Sequence, residues 1–277
     1  MEFPVEARTI RSGTGARSLG NVSLFDAKAP KGKRKAGLAM NAKELFQAGN
    51  IEDAIKTLAA ELRNDPTNVR SRTFLFELLC FAGELDRAEK QLDILSDISK
   101  EAGMGTLIYR SAFQAERLRR EMFEKKSFPQ TQIEPIRKAF LNGTEVETVE
   151  DADPRIGQRL EVYAAGSYMW LPLAQIASIR MEAPKRVRDL MWIPAIIKTG
   201  PNCGGLNLGE VMIPALTPFA FRHADNSVKL GRQTVWEETD GVVAPAGQKM
   251  LLVDGEEIPI LEVRTLEFPV ASEAPAE

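Results

Sequence analysis

Histidine, cysteine and long apolar runs are what this sequence has least of, and each scarcity removes a class of chemistry. The 277 residues contain one histidine, His223, and two cysteines, Cys80 and Cys203. One imidazole cannot build a multi-histidine metal site and leaves a single candidate for any histidine-dependent base. Two cysteines without CxxC spacing give no disulfide framework, which fits a reducing compartment. No stretch approaches the roughly 18 apolar residues of a membrane span, and the first residues lack the basic-then-apolar layout of a secretion signal. The expectation is a cytoplasmic protein with no membrane partner, no metal and no other cofactor.

Phosphate binding is argued against in the same way. Gly200-Pro201-Asn202-Cys203-Gly204-Gly205-Leu206-Asn207 has the end glycines of a phosphate loop, but Leu206 and Asn207 stand where Lys and Ser or Thr are needed. The net charge of −3 conceals an asymmetry. Residues 1–39 hold eight Lys or Arg (Arg8, Arg11, Arg17, Lys28, Lys31, Lys33, Arg34, Lys35) against Glu2, Glu6 and Asp26, a net +5, which leaves −8 for the remainder. Lys31-Gly32-Lys33-Arg34-Lys35 has no aromatic interleaving and precedes an acidic body, so a disordered basic extension, not a nucleic-acid site, is expected. Met40 stands directly before the first helical pattern and is an alternative start to Met1.

What the chain does have is a repeat. Ala48-Gly49-Asn50-Ile51 with Ala54 returns as Ala82-Gly83-Glu84-Leu85 with Ala88, 34 residues later, the period of the tetratricopeptide unit. Leu45 matches Leu79, and Leu58 matches Leu92. Gly49 and Gly83 fall where one helix must stop and the chain reverse, Ala54 and Ala88 where two helices cross closely, and Pro66 where a helix is left. The spacing predicts helices over 41–48, 51–64, 68–82, 84–98 and 105–126, then a shorter helix with Ile133, Ile136 and Phe140 that Gly143 stops.

Glu145, Glu147, Glu150, Asp151 and Asp153 then occur without a basic residue, as in a solvated linker or turn. After them come short apolar or alternating runs between turn residues: 160–163, 168–171, 190–197, 211–213, 234–236, 249–253 and 258–266. Asp254-Gly255 is a hairpin signal. The fold class expected is multidomain α+β: tetratricopeptide-like (TPR-like) all-α hairpins, then a β-rich domain of small-barrel or sandwich type. The expected divisions are a basic extension 1–39, a helical domain 40–143, an acidic linker 144–153, a β-rich domain 154–269 and a frayed tail 270–277.

No constellation makes a convincing active site. Cys203 and His223 are the sole support for an enzyme or a small-ligand binder with a pocket in the β-rich half, and their spacing matches no nucleophile motif. Arg188-Asp189 reads as an internal ion pair that positions a loop. Trp170, Trp192 and Trp236 serve either as core or as contact surface.

Several segments together resemble one family. They are Asp151-Ala152-Asp153-Pro154-Arg155, Tyr168-Met169-Trp170-Leu171-Pro172, Arg188-Asp189-Leu190-Met191-Trp192, 211–216, 230–236 and Gly247-Gln248-Lys249, with 69–80 in the helical half. In this order they look like the ImpE (TagJ) family, and the likeness runs from about residue 41 to 268. The resemblance implies a cytoplasmic accessory component of bacterial type VI secretion that binds the N-terminal helix of the small contractile-sheath subunit. It also implies a link to the AAA+ ATPase that recycles contracted sheath, and no catalysis. Helical hairpins offer a groove for such a helix. On that frame the groove receives Arg70, Thr73, Glu77, Cys80 and Phe81 from the second unit; the alternative is that the β-rich half forms the contact instead, with Trp170, Arg188, Asp189 and Trp192 at or near it.

Overall fold

The computed structural model describes residues 40–98, 100–130, 133, 138–200, 203, 208–239 and 241–269. The extension 1–39 and the tail 270–277 lie outside the described residues, as do Ile136 and residues 201, 202 and 204–207. Five helices come first: α1 (Ala42–Gln47), α2 (Ile51–Asn64), α3 (Val69–Phe81), α4 (Leu85–Ile98) and α5 (Lys100–Glu124). Asparagine starts three of them. Asn41 forms a capping box with Glu44, Asn50 accepts from the Asp53 amide, and Asn68 accepts from the Ser71 amide. Gly49 and Gly83 reverse the chain at φ of 82° and 74°. Ala54 and Ala88 are wholly buried at the helix crossings.

Helix α3 is apolar on nearly every side, and it is buried from Leu75 through Phe81. Phe76 packs edge-on to Tyr109 and beside Phe113 of α5. Neighbouring helices do not supply all of this cover: Tyr163, Met191, Trp192 and Leu230 of the β-rich half belong to the same apolar cluster.

The second half holds strands β1 (Ala139–Leu141), β2 (Thr144–Val146), β3 (Val149–Asp151), β4 (Arg159–Ala164), β5 (Ser167–Pro172), β6 (Ile176–Met181), β7 (Trp192–Thr199) and β8 (Gly209–Pro214). A short helix α6 (Asn226–Lys229) follows, then β9 (Val235–Thr239), β10 (Val242–Ala246), β11 (Met250–Val253), β12 (Glu256–Pro259) and β13 (Thr265–Glu267). One antiparallel sheet runs β2-β1-β13-β6-β7-β8-β4-β5, a second β12-β11-β3, and β9 with β10 forms a separate ribbon. The first two sheets share a core that includes Ile179, Ile193 and Ile213 from one and Val149, Leu251 and Val253 from the other. This is the sandwich-like form of the expected domain. Asp254 and Gly255 make the β11–β12 turn with both φ values positive, 49° and 84°.

Two expectations are corrected. Phe140 is not helical: it lies in β1, and Asn142 and Gly143, at φ of 50° and 84°, turn β1 into β2. An Asn-Gly pair favours this primed hairpin turn more strongly than it favours a helix stop. Residues 144–153 are therefore not a solvated linker. They include β2 and β3, with Asp151 and Asp153 only 4% and 1% exposed.

The two repeat glycines give a paired test. A Cβ on Gly83 meets the Phe221 ring at 2.2 Å, whereas on Gly49 its nearest neighbour is an Arg232 nitrogen at 3.8 Å. Gly49→Ala should cost about 1–2 kcal/mol for the left-handed backbone alone, and Gly83→Ala about 1–3 kcal/mol more for overpacking. Urea unfolding midpoints of the two variants check the difference.

Candidate functional site

The densest polar chemistry lies between the halves. Glu161, on β4, the strand next to the β5 edge of the large sheet, has no exposed surface. Arg119 of α5 donates to both its oxygens, at 2.7 and 3.0 Å. The Tyr168 hydroxyl on β5 donates to Oε1 at 2.6 Å, and Lys249, preceding β11, donates to Oε2. Four donors saturate the carboxylate. Lys249 also donates to Asp151, Arg119 to the Leu216 carbonyl at 2.9 Å, and the Trp170 indole to Tyr168. One turn away on α5, Glu116 accepts from Tyr163 and from Arg120 at 3.0 Å.

The electrostatics follow from burial set against partners. Burial by itself would raise Glu161, but Arg119 and Lys249 hold it down to about 2. Asp151 is also buried, and burial pushes it up to about 6 although Lys249 is bonded to it. Arg119 is likewise opposed by burial and held protonated by Glu161. This is a structural ion network that fixes α5 to β4 and β11.

Several expected partner-binding residues converge here, turned inward. Glu77 is buried and accepts from Arg188 of the β-rich half at 3.0 Å, and burial raises its pKa despite that partner. Arg188 lies over the Tyr109 ring at 5.1 Å, and Trp192 packs on Phe113 at 5.9 Å. Cys80 and Phe81 are buried, and the Cys80 thiol is pushed up by burial. The chain's own β-rich half thus fills the face of α3 on which a partner helix was expected. Arg188 and Asp189 do not pair with each other, because the Asp189 carboxylate accepts instead from the Lys185 and Arg186 amides at 2.9 Å each. Trp170 is half-buried, stacked on Phe128 at 5.5 Å. Arg70 is exposed and Thr73 half-buried at the start of α3, outside the junction.

Cys203 and His223 are engaged separately. Cys203 lies beside Gln175 at 3.9 Å, and His223 bonds the Asp225 amide at 2.9 Å and Glu237 at 3.2 Å. A cavity at the junction, lined in part by Cys80, Arg119, Met191 and Trp192, has a volume of about 30 Å³, water-sized and too small for a substrate. Sequence reasoning missed Glu161, Arg119, Lys249 and Phe221. The available signal was a charge inside an apolar run, as in Leu160-Glu161-Val162.

Two outcomes follow. Arg119→Met should lose about 3–5 kcal/mol of stability by leaving Glu161 short of a buried partner, read from denaturant unfolding. Asp151 binds its proton more tightly folded than unfolded, so its contribution to stability rises as pH falls from above 6 toward 4. Glu161 is ionised in both states down to about pH 4.5 and loses its contribution only toward pH 2. The stability difference between wild type and Asp151→Asn should therefore shift in favour of wild type by about 1–2 kcal/mol from about pH 7.5 to about pH 5.

Comparison with known proteins agrees with both halves of this architecture. The family model described as "ImpE protein" matches residues 143–267, and a tetratricopeptide repeat model matches 45–102. A crystal structure of protein VPA1032 from Vibrio parahaemolyticus shares the fold, with a TM-score of 0.72 over 82% of this chain and 97% of its own, at 21% identity. A Pseudomonas aeruginosa protein described as "Type VI secretion system accessory component TagJ" is 32% identical over 272 residues. That match spans 86% of this chain and 94% of the relative, so both the helical hairpins and the β-rich half are shared, and the chain belongs to the ImpE (TagJ) family.

Proposed function

We propose that this protein is a non-catalytic adaptor of bacterial type VI secretion. In this reading it works in the cytoplasm, binds the N-terminal helix of the small sheath subunit and links the sheath to the AAA+ ATPase that recycles it. The observation that carries the reading is the likeness over 86% of the chain to an accessory component of such a system. Helical hairpins support it, since they recognise amphipathic helices through side chains at three- and four-residue steps. Among the described residues no helix is long and apolar enough to cross a membrane. The ATPase link rests on the family resemblance alone.

The partner surface assigned here is the open end of α3. Glu77, Cys80, Phe81 and Trp192 are occupied within the chain, whereas Val69 is 43% exposed beside Arg70 and Thr73. Titrating the full chain calorimetrically with the sheath subunit's N-terminal peptide should give a micromolar Kd, about −8 kcal/mol. Combined Arg70→Ala and Thr73→Ala should weaken it about tenfold with circular dichroism unchanged. Unaltered affinity moves the surface elsewhere, and no binding by the wild type overturns the adaptor reading.

A further inference from the structure

Between β8 and α6 the chain passes over the helical half, and the backbone of residues 218–224 is tied down only at its two ends. At one end the Thr217 amide donates to the Gly247 carbonyl at 2.8 Å, and the Gly247 amide returns a bond to the Thr217 hydroxyl at 2.9 Å. At the other, Asp225 caps α6, and Asn226 and Lys229 donate to Glu52 of α2 at 3.0 and 2.9 Å. Among the described residues, the backbone bonds of 218–224 stay local: Ala220 donates to Thr217, Arg222 to Phe219 and His223 to Ala220. Swinging this segment out breaks no backbone bond to another element.

Side chains hold it closed. Phe221 lies in the notch left by Gly83, with the Arg120 guanidinium 4.1 Å from its ring centre. Arg120 is itself fixed by bonds to the Gly83 carbonyl and to Glu116, at 3.0 Å each. His223 meets Glu237 at 3.2 Å, and Arg222 pairs with Glu124, but the latter two side chains are half exposed, where an ion pair holds little. Against closure stands Phe219, whose φ of 63° is a left-handed conformation that a bulky residue adopts only where its surroundings impose it. Packing beneath is incomplete as well. The cavity of about 30 Å³ is lined by Phe219, Ala220 and Phe221 from the segment and by Cys80, Phe81 and Leu85 from the helices.

Outside the cavity a surface groove of about 380 Å³ runs over Gly83, Asp86 and Arg117, and Leu85 and Arg120 line both hollows. Raising Phe221 joins them into one cleft with an apolar floor and arginines at its rim. We propose that residues 218–224 are a hinged flap that opens while the rest of the chain stays folded, and that the cleft beneath it is a site for an aromatic side chain of another protein. Phe221 shows the chemistry the notch accepts: a flat ring that fits where glycine has no side chain and that faces a guanidinium. In the closed state the flap fills its own site, so a partner's ring enters only by displacing it. The cleft lies at the C-terminal end of α3, away from Arg70 and Thr73 at the N-terminal end.

The test follows the buried Cys80 thiol in the full chain carrying Cys203→Ser, which leaves it the sole cysteine. Its rate of reaction with dithiobis(nitrobenzoate), relative to an unstructured cysteine peptide, gives the fraction of time it is exposed. That fraction should exceed the globally unfolded fraction from urea titration at least about 100-fold and hardly change in low urea. Phe221→Ala should raise it about tenfold, and Phe221→Leu, which keeps most of the apolar volume, about threefold, each relative to its own unfolded fraction. Tethering makes Phe221 equivalent to a free ring at millimolar concentration, so about 20 mM N-acetylphenylalaninamide should slow labelling of the Phe221→Ala protein about twofold, and N-acetylalaninamide should not. Labelling that follows global unfolding in all three proteins overturns the flap. Labelling without global unfolding that the aromatic amide does not slow overturns the site.

Discussion

A single carboxylate with no exposed surface, Glu161, receives donors from α5, from its neighbouring strand β5 and from the segment entering β11. Everything at the junction is arranged around keeping it satisfied. Taking Glu161, Arg119, Lys249 and Asp151 out of water costs about as much as their mutual attraction returns, so the network adds little net stability. The favourable energy comes from apolar contact, where Trp192 meets Phe113 and Tyr109, and Tyr163 and Met191 complete the helical core. The network contributes alignment: sliding α5 along β4 would orphan a buried charge, whereas apolar side chains alone would tolerate the slip.

This constraint changes what the helical hairpins can offer. A free tetratricopeptide array presents an open face, but here the turn before β7 enters it. Arg188 reaches Glu77, and Phe221 sits over the α3–α4 turn where Gly83 leaves room for the ring. Arg120 adds a bond to the Gly83 carbonyl and lies 4.1 Å from the Phe221 ring. The residues at the centre of α3 are thus internal, and contact with another protein falls to its open end and to the outer surfaces of both halves.

The helical half was legible because its signals are local. Positive-φ glycines and small alanines recur at one spacing, and each has its own physical cause. The β-rich half was legible as strands but not as an assembly. Asn142-Gly143 resembled a helix stop because helix-like residues precede it, and β3 was hidden by its acidic neighbours. Asp151 and Asp153 looked solvated because a carboxylate's partner need not be near in sequence; Lys249 is 98 residues from Asp151. The inward turning of Glu77, Cys80 and Trp192 had no local signature, because it depends on how the two halves dock.

The central claim is that the two halves form one cooperative unit locked at Glu161. Native-state hydrogen exchange of the intact protein tests it most directly. Amides in α3, α5 and β4 should share one opening free energy and lose protection together as urea is added. Earlier exchange of the helical amides, with β4 still protected, would show that the halves open independently and would contradict the account.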